Sequence, residues 1–254
     1  LKSLKKDKLC KFKQNFNYNL SNLKKYKLII NCENDNYFTK KFFARSLKKK
    51  YDSLAYTTIL KHEKIQNKVA SQIFTKNGPI AFLPISKTQT SVVYSLKTKF
   101  SKNMDDIKRL IYKFNPNYDI IKIGTISKVG LNSSNLRNYY KDNILAFGDL
   151  LHKVHPLAGQ GFNMSLRDIS CLSKLIDEKL DLGLDLDITI CHNFEKEMRD
   201  KNLIFSTGID WIYQFFYFEG KTNNEIISKS LNILGKNKFF NSLFKKFADN
   251  GLSL

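Results

Sequence analysis

Alternating hydrophobic and polar residues dominate the stretch from about Tyr51 to Lys99 and predict successive β-strands. Four such runs read YDSLAYTTILKHE, VASQIFTK, PIAFLPIS and TQTSVVYSLKT, and turn signals such as Asn77-Gly78-Pro79 separate them. Short connections imply antiparallel neighbours, so we expect a sheet with one face free for a partner or a ligand. A further strand is predicted in YDIIKIGTISKVG.

Apolar residues three and four positions apart predict helices on both sides of this strand-rich stretch. FTKKFFARSLKKK shows the spacing before it, with SLKKK as a solvated helix end, and NMDDIKRLIYKF shows it afterwards, with Asn103 as the N-cap. GFNMSLRDISCLSKLIDEKL is predicted to be a third helix, and the chain beyond Gly183 is almost wholly helical. The apolar face of the first helix comprises Phe38, Phe42, Phe43 and Leu47. The stripe of the third comprises Met164, Leu166, Ile169, Leu172, Leu175 and Ile176.

Two short apolar runs, YKLIINCEN and NILAFGD, are predicted to be buried strands, and the second ends in a Gly-Asp pair. Gly148 allows a tight strand exit, and Asp149 presents acceptor oxygens at the carboxyl end of the strand, where α/β folds usually bind ligands. Gly159 and Gly161 then permit close backbone approach. The helix that follows offers unpaired N–H groups and a partial positive charge. This arrangement suits a nucleotide-type cofactor.

The chain carries 43 Lys and Arg against 23 Asp and Glu, a formal net charge of +20. Nucleic acid, an anionic membrane surface or a large anionic cofactor would each suit this charge. The lysines are nevertheless scattered, as codon usage in an AT-rich genome would produce. The four cysteines form no CxxC pair, which favours a reducing cytosol over a disulfide framework. No apolar run reaches the roughly 18–20 residues that a transmembrane helix needs, and the first ten residues lack a signal-peptide core.

The segment GDLLHKVHPLAGQGFNMSLRD resembles the second flavin-binding motif of the flavoprotein aromatic hydroxylases. It is most similar to the ubiquinone-biosynthesis hydroxylases of the para-hydroxybenzoate-hydroxylase superfamily. In that family the aspartate accepts from the ribityl chain of FAD, and the segment from proline to asparagine packs against the isoalloxazine ring. The cofactor-binding residues that the resemblance implies are Gly148, Asp149, Pro156, Gly159, Gln160, Gly161, Phe162 and Asn163, with Glu33 from the family's middle motif.

The resemblance implies an α/β fold, α+β in this chain. An FAD/NAD(P)-binding-type domain remnant would carry an inserted, mostly antiparallel β-sheet substrate domain and a helical C-terminus. The expected divisions are 1–50 (partial FAD-binding domain), 51–130 (substrate domain), 131–183 (Gly-Asp motif segment) and 184–254 (helical region). The implied activity is FAD-dependent hydroxylation of a polyprenylated phenolic ring in ubiquinone biosynthesis, with O₂ and with NAD(P)H as reductant. The implied location is the cytoplasm, peripheral to the inner membrane and near other proteins of the pathway.

The sequence also departs from the family pattern. Leu150 and Leu151 replace two small residues, and Glu33 and Asn34 stand where the middle motif has Asp-Gly. Tyr37 and Lys40 replace that motif's later Ser and Arg. The family opens with a βαβ unit that carries GxGxxG, and the sequence contains no such motif and starts with Leu. We therefore expect a truncated or diverged member.

Two alternatives to an active enzyme remain open. A non-catalytic homologue could serve as a partner subunit or have no function. A basic nucleic-acid-binding protein is the more distant alternative. No RNA- or DNA-binding motif supports it, so no nucleic acid partner is expected.

No catalytic acid or base is assigned, because the oxygen chemistry of such enzymes belongs to the flavin. His152 and His155 lie three residues apart without a third ligand at metal spacing, so no metal is expected. His62 and His192 are predicted to lie on the surface. KNKFFNSLFKKFADNG could lie in a membrane interface or pack on its own domain. WIYQFFYF is predicted to be core or a docking surface.

Overall fold

The computed structural model describes residues 4–12, 25–100, 102–155 and 160–222. It has the mixed α/β character that the sequence predicts, with an antiparallel sheet and C-terminal helices. The strands are β1 Ile29–Asn31, β2 Ser46–His62, β3 Ser71–Thr75, β4 Gly78–Ser86, β5 Gln89–Lys97, β6 Ile120–Ile123, β7 Ser127–Leu136, β8 Tyr140–Lys141, β9 Ile144–Ala146 and β10 His152–Lys153. The helices are α1 Tyr37–Phe42, α2 Met104–Lys113, α3 Gln160–Asp181 and α4 Ile188–Thr222, and short 3₁₀ turns span Leu4–Lys6, Thr98–Phe100 and Gly148–Leu150.

The larger sheet has seven antiparallel strands in the order β10-β7-β2-β5-β4-β3, with β6 also paired to β2. Strand β2 is its spine and pairs with three other strands along its 17 residues. One face is covered by α2, whose Ile107 and Ile111 are buried against Tyr56, Leu60 and their neighbours. Asn103 caps α2 as predicted, since its side chain accepts from the Asp106 backbone N–H at 2.8 Å.

The smaller sheet has the order β1-β9-β8, and its first two strands run parallel. The three residues of β9 are buried, in keeping with a strand that is covered on both faces. Leu172 of α3 and Phe194 of α4 belong to the same apolar core as β9. The strands predicted in YKLIINCEN and NILAFGD are therefore neighbours in space, although the first is not a buried strand, since only Asn31 of β1 is buried.

Three predictions about secondary structure and packing are wrong. The lysine-rich segment Ser46–Lys50 begins β2 instead of ending a helix, because it pairs with β7 from Ser46 opposite Leu136 onward. YDIIKIGTISKVG forms two strands, β6 and β7, which are separated around Gly124. Leu166 and Ile169 do not share the buried stripe of α3, since they are 46% and 48% exposed.

His62 was expected on the surface but is buried in the larger sheet. Both of its ring nitrogens have partners: Nδ1 lies 2.8 Å from the Glu63 carbonyl oxygen, and Nε2 lies 3.0 Å from the Thr90 hydroxyl. His192 is exposed, as predicted.

Several predictions fall outside the described residues: Pro156, Gly159, most of LCKFKQNFNYNL and the whole of KNKFFNSLFKKFADNG. No helix in the described ranges is long and apolar enough to cross a membrane. Nor do three or more His, Cys, Asp or Glu side chains of those ranges gather as they would around a metal ion. The four sequence divisions stay a prediction, and β2 and β7 extend across two of the expected boundaries.

Candidate functional site

The parallel pairing of β1 with β9 places two predicted site residues at one edge of the smaller sheet. Ile29 lies opposite Ile144, and the Phe147 N–H donates to the Asn31 carbonyl oxygen at 2.9 Å. Because parallel strands have their carboxyl ends at the same edge, the segments that carry Glu33 and Asp149 leave the sheet side by side. Both residues are exposed there.

Asp149 lies in a tight turn that glycine makes possible. Gly148 has φ +63°, in the left-handed region, and the Leu151 N–H donates to its carbonyl oxygen at 2.9 Å. Leu150 and Leu151 are buried in the core around β9, so their bulk is accommodated inside the domain. Among the described residues Asp149 has neither a hydrogen bond nor an ion pair, and its carboxylate is available to a ligand.

Glu33 is held by a small hydrogen-bonded network between β1 and α1. The buried Asn31 side chain donates to Thr39 Oγ1 at 2.9 Å and accepts from the Asn36 side chain at 2.6 Å. Asn36 caps α1, and the Thr39 hydroxyl donates to the Glu33 carbonyl oxygen at 2.5 Å. The network fixes the backbone at Glu33. The exposed carboxylate of Glu33 also contributes to a raised pKa of the Cys32 thiol, although burial of that thiol has the larger effect.

The remaining described site residues lie in the first turn of α3. Gln160 begins the helix, and Asn163 Nδ2 lies 3.4 Å from its Oε1. A Cβ atom at Gly161 would lie 3.6 Å from Val154 Cγ2, an ordinary contact, so Gly161 is not required by crowding there. Phe162 is 72% exposed, which is unusual for so large an apolar side chain. The free N–H groups of this first turn make it a suitable position for an electron-rich group.

A buried polar network anchors the segment between the Gly-Asp turn and α3. His152 Nε2 lies 2.5 Å from Asp168 Oδ2, and Asn202 Nδ2 donates to Asp168 Oδ1 at 2.9 Å. Both side chains of the His152–Asp168 pair are fully buried. The pair joins β10 to α3, and Asn202 adds α4, so the network holds together the two elements that precede and follow Gly159 in the chain.

His155 lies fully buried between two tyrosine rings. Its ring centroid is 4.9 Å from that of Tyr51, with an edge-on orientation, and 4.2 Å from that of Tyr213, in a tilted stack. Burial lowers the pKa of His155 to about 4, with opposing effects from Asp210, which raises it, and Lys49, which lowers it. The imidazole is therefore neutral near pH 7.

Buried polar atoms without partners concentrate around this segment. Seven such side-chain atoms occur among the described residues, and six of them belong to Asn135, His152, His155 and Arg167. Arg167 stacks on Phe205, with its guanidinium carbon 4.0 Å from the ring centroid, and desolvation lowers its pKa. Native proteins leave few buried polar atoms unpaired, so this concentration fits a polar ligand that is bound beside the turn.

No spacing rule in the sequence joins Tyr51, Asp210 and Tyr213 to the motif, because about 160 residues separate Tyr51 from the other two. A signal for the buried carboxylate does exist. Asp168 follows Met164 by four residues and precedes Leu172 by four, which places it on the buried face of α3. A charged residue at such a position needs a buried partner, and His152 is that partner.

Known proteins similar to this chain agree with the site described above. Residues 59–181 match the FAD binding domain family, and that stretch contains the Gly-Asp turn and all of α3. The mitochondrial ubiquinone biosynthesis monooxygenase COQ6 of Danio rerio is 25% identical over 214 residues, which cover 67% of this chain and 44% of the relative. The 3-demethoxyubiquinol 3-hydroxylase of Escherichia coli (strain K12) is 26% identical over 156 residues, covering 57% and 39%. These matches fit the FAD-dependent monooxygenase family.

The fold agrees with these matches. The p-nitrophenol 4-monooxygenase PnpA of Pseudomonas putida DLL-E4 superimposes with a TM-score of 0.68 over 90% of this chain and 60% of the other. Sequence identity in that pair is 12%, so the likeness concerns the fold alone. The chain spans less than half the length of the two curated relatives above.

Proposed function

We propose that this chain is part of an FAD-dependent monooxygenase that hydroxylates a polyprenylated phenolic ring in ubiquinone biosynthesis, with NAD(P)H as reductant and O₂ as the second substrate. The matched FAD binding domain and the names of the two curated relatives support the proposal. Because the substrate would carry a long apolar tail, we also propose that the protein works peripherally at the cytoplasmic face of the inner membrane, beside other proteins of the pathway.

The described residues fit FAD in three respects. Asp149 is an exposed, unpaired carboxylate that can accept from sugar-like hydroxyl groups. The first turn of α3, from Gln160 to Asn163, offers backbone N–H groups to an electron-rich ring edge. Glu33 lies at the same sheet edge as Asp149 and can hold a further hydroxyl group. Pro156 and Gly159 complete the set by resemblance alone.

When bound, reduced FAD would supply the reaction with O₂ and the transfer of one oxygen atom to the ring. The chain's own residues would bind and orient the cofactor and the phenolic ring, and they would exclude water. Tyr51, Met164, Phe205 and Tyr213 form a buried apolar cluster with Val154 and Ile209 next to the start of α3, and this cluster keeps water from the adjoining side of the segment. His155 is the neutral polar group within that cluster.

One observation carries the proposal: Asp149 is unpaired and exposed at the carboxyl end of a buried parallel strand, where the following segment leads into α3. The test incubates the chain with FAD, NADH or NADPH, ¹⁸O₂ and a short-chain prenylated phenol, and follows the product by mass spectrometry. We expect incorporation of one ¹⁸O atom, and we expect Asp149→Ala to abolish most of it. Asp177→Ala, which removes an exposed carboxylate from α3, is the matched control and retains the activity.

A non-catalytic homologue that serves as a partner subunit is the second candidate. It is supported at the middle motif, where the exposed Lys40 pairs with Asp35 at 2.7 Å and no glycine follows Glu33. An amine lacks the two-pronged geometry with which arginine binds an oxyanion. Uptake of FAD without any ¹⁸O incorporation would favour this second candidate.

A further inference from the structure

His155 differs from the other buried histidines of the described chain in its hydrogen bonds. His62 has partners at both ring nitrogens, and His152 has one at Nε2. Neither nitrogen of His155 has a partner, although the residue is fully buried. A neutral imidazole has one donor and one acceptor, so two hydrogen-bonding capacities are unused at this position.

The described residues that surround His155 have their own polar groups engaged elsewhere. The Tyr51 hydroxyl donates to Asp210, and Lys49 Nζ lies 2.9 Å from the other oxygen of that carboxylate. The Tyr213 hydroxyl lies 3.0 Å from Ser53 Oγ, which itself donates to the Tyr51 carbonyl oxygen at 3.0 Å. The two tyrosines therefore contact His155 with their ring carbons while these bonds hold their hydroxyl groups.

A buried polar group without a partner costs stability, and cores normally avoid it. The apolar cluster would be more stable with phenylalanine at position 155, because the same rings would stack on it without an unpaired nitrogen. The imidazole also lies near the proposed site, since its neighbour Val154 packs against the first turn of α3, where a Cβ at Gly161 would lie 3.6 Å from Val154 Cγ2. A ligand bound at that turn would be the natural partner of the free nitrogens.

We propose that His155 is a positioning residue that hydrogen-bonds a ring hydroxyl or a ring carbonyl of the planar ligand held beside the first turn of α3. This inference rests on the proposed function and adds a residue to it. A neutral imidazole among tyrosine rings suits an uncharged oxygen on an aromatic ring better than a carboxylate or a phosphate. The oxygen could belong to the flavin or to the phenolic substrate, and the experiment separates the two.

The experiment compares the wild-type chain with three variants at pH 7.5. His155→Phe keeps the ring and removes both nitrogens, whereas His155→Gln restores a neutral donor and acceptor. His192→Phe, at an exposed position, is the control. FAD affinity is measured by quenching of flavin fluorescence. Affinity for p-nitrophenol, used here as a coloured phenol probe, is measured by its absorbance in the presence of saturating FAD. Urea unfolding of the ligand-free chain is measured in parallel.

We expect His155→Phe to lower the affinity for one of the two ligands about tenfold, and His155→Gln to recover part of that affinity. Weaker FAD binding would assign the bond to the flavin, and weaker p-nitrophenol binding alone would assign it to the substrate hydroxyl. The urea midpoint of His155→Phe should equal or exceed that of the wild type, which a purely structural histidine would not allow. Affinities within twofold of the wild type for both ligands would overturn the inference while leaving the proposed function intact. A wild-type chain that binds no FAD would overturn both.

Discussion

The buried imidazole of His155 makes the stability of the chain depend on pH in a direction that can be worked out. Burial lowers its pKa in the folded state from 6.5 to about 4. Above pH 6.5 the imidazole is neutral in both the folded and the unfolded chain, so its titration takes nothing from the stability of the fold. As the pH falls below 6.5, His155 is protonated in the unfolded chain but stays neutral in the folded chain, so stability is lost until the pH reaches about 4.

The size of this loss follows from the shift in pKa. At 1.36 kcal/mol per unit, the full effect is about 3 kcal/mol, and about 2 kcal/mol of it is reached at pH 5.0. The groups that face His155 are Tyr51 and Lys49 on β2 and Asp210 and Tyr213 on α4. Asp210 opposes the shift and Lys49 adds to it, but neither removes it.

Urea unfolding of the wild type and of His155→Phe at pH 7.5 and 5.0 isolates this contribution. Other groups titrate in the same range, so the informative quantity is the difference between the two proteins. We expect the wild type to lose about 2 kcal/mol more than His155→Phe between the two pH values. His192→Gln, at an exposed position, should follow the wild type. Equal losses in the wild type and His155→Phe would refute the apolar environment of the imidazole.

Two further changes test the packing that holds the site. Asp168→Ala should destabilise the chain by about 3–5 kcal/mol in urea unfolding, because it leaves His152 and the Asn202 amide buried without their partner; a loss below about 1 kcal/mol would contradict the buried network. Gly78→Ala should lower the thermal midpoint and cost about 1–3 kcal/mol, because the new Cβ would lie 2.0 Å from the Ser95 carbonyl oxygen. The φ of Gly78, +138°, is also one that alanine rarely adopts. An unchanged midpoint would show that β4 and β5 are not packed so closely.

Local patterns in the sequence were sufficient where the element itself determines the structure. Alternating residues predicted the strands from β2 to β5, and the asparagine before an amphipathic run predicted the start of α2. The helix prediction for Ser46–Lys50 is wrong because the spacing suits a helix, whereas pairing with β7, more than eighty residues away, makes the segment a strand. Such a partner cannot be read from a local window.

The predicted buried stripe of α3 is wrong for a different reason. The predicted stripe includes Leu166 and Ile169, which are exposed, and leaves out Asp168, which is buried. With Asp168 counted as buried, Met164, Leu172 and Leu175 fall on one face with it. His62 gives the same lesson on a strand, because it follows Leu60 by two residues and so shares its inward face.

The candidate site shows a similar division. Asp149 and the first turn of α3 follow from a strand, a glycine turn and a helix that are consecutive in the chain. The placement of Glu33 beside them needs the parallel pairing of β1 with β9, and the surroundings of His155 need α4 to return to β2. These contacts depend on tertiary packing, which no local pattern specifies.

Equilibrium titration of the purified chain with FAD is the most direct test of the central claim that the turn at Asp149 holds a flavin. We predict saturable binding with a bound-flavin absorbance spectrum, weakened at least about tenfold by Asp149→Ala and unchanged by Asp177→Ala. A chain that stays colourless at saturating FAD would contradict the account, and so would an Asp149→Ala variant that binds FAD as tightly as the wild type.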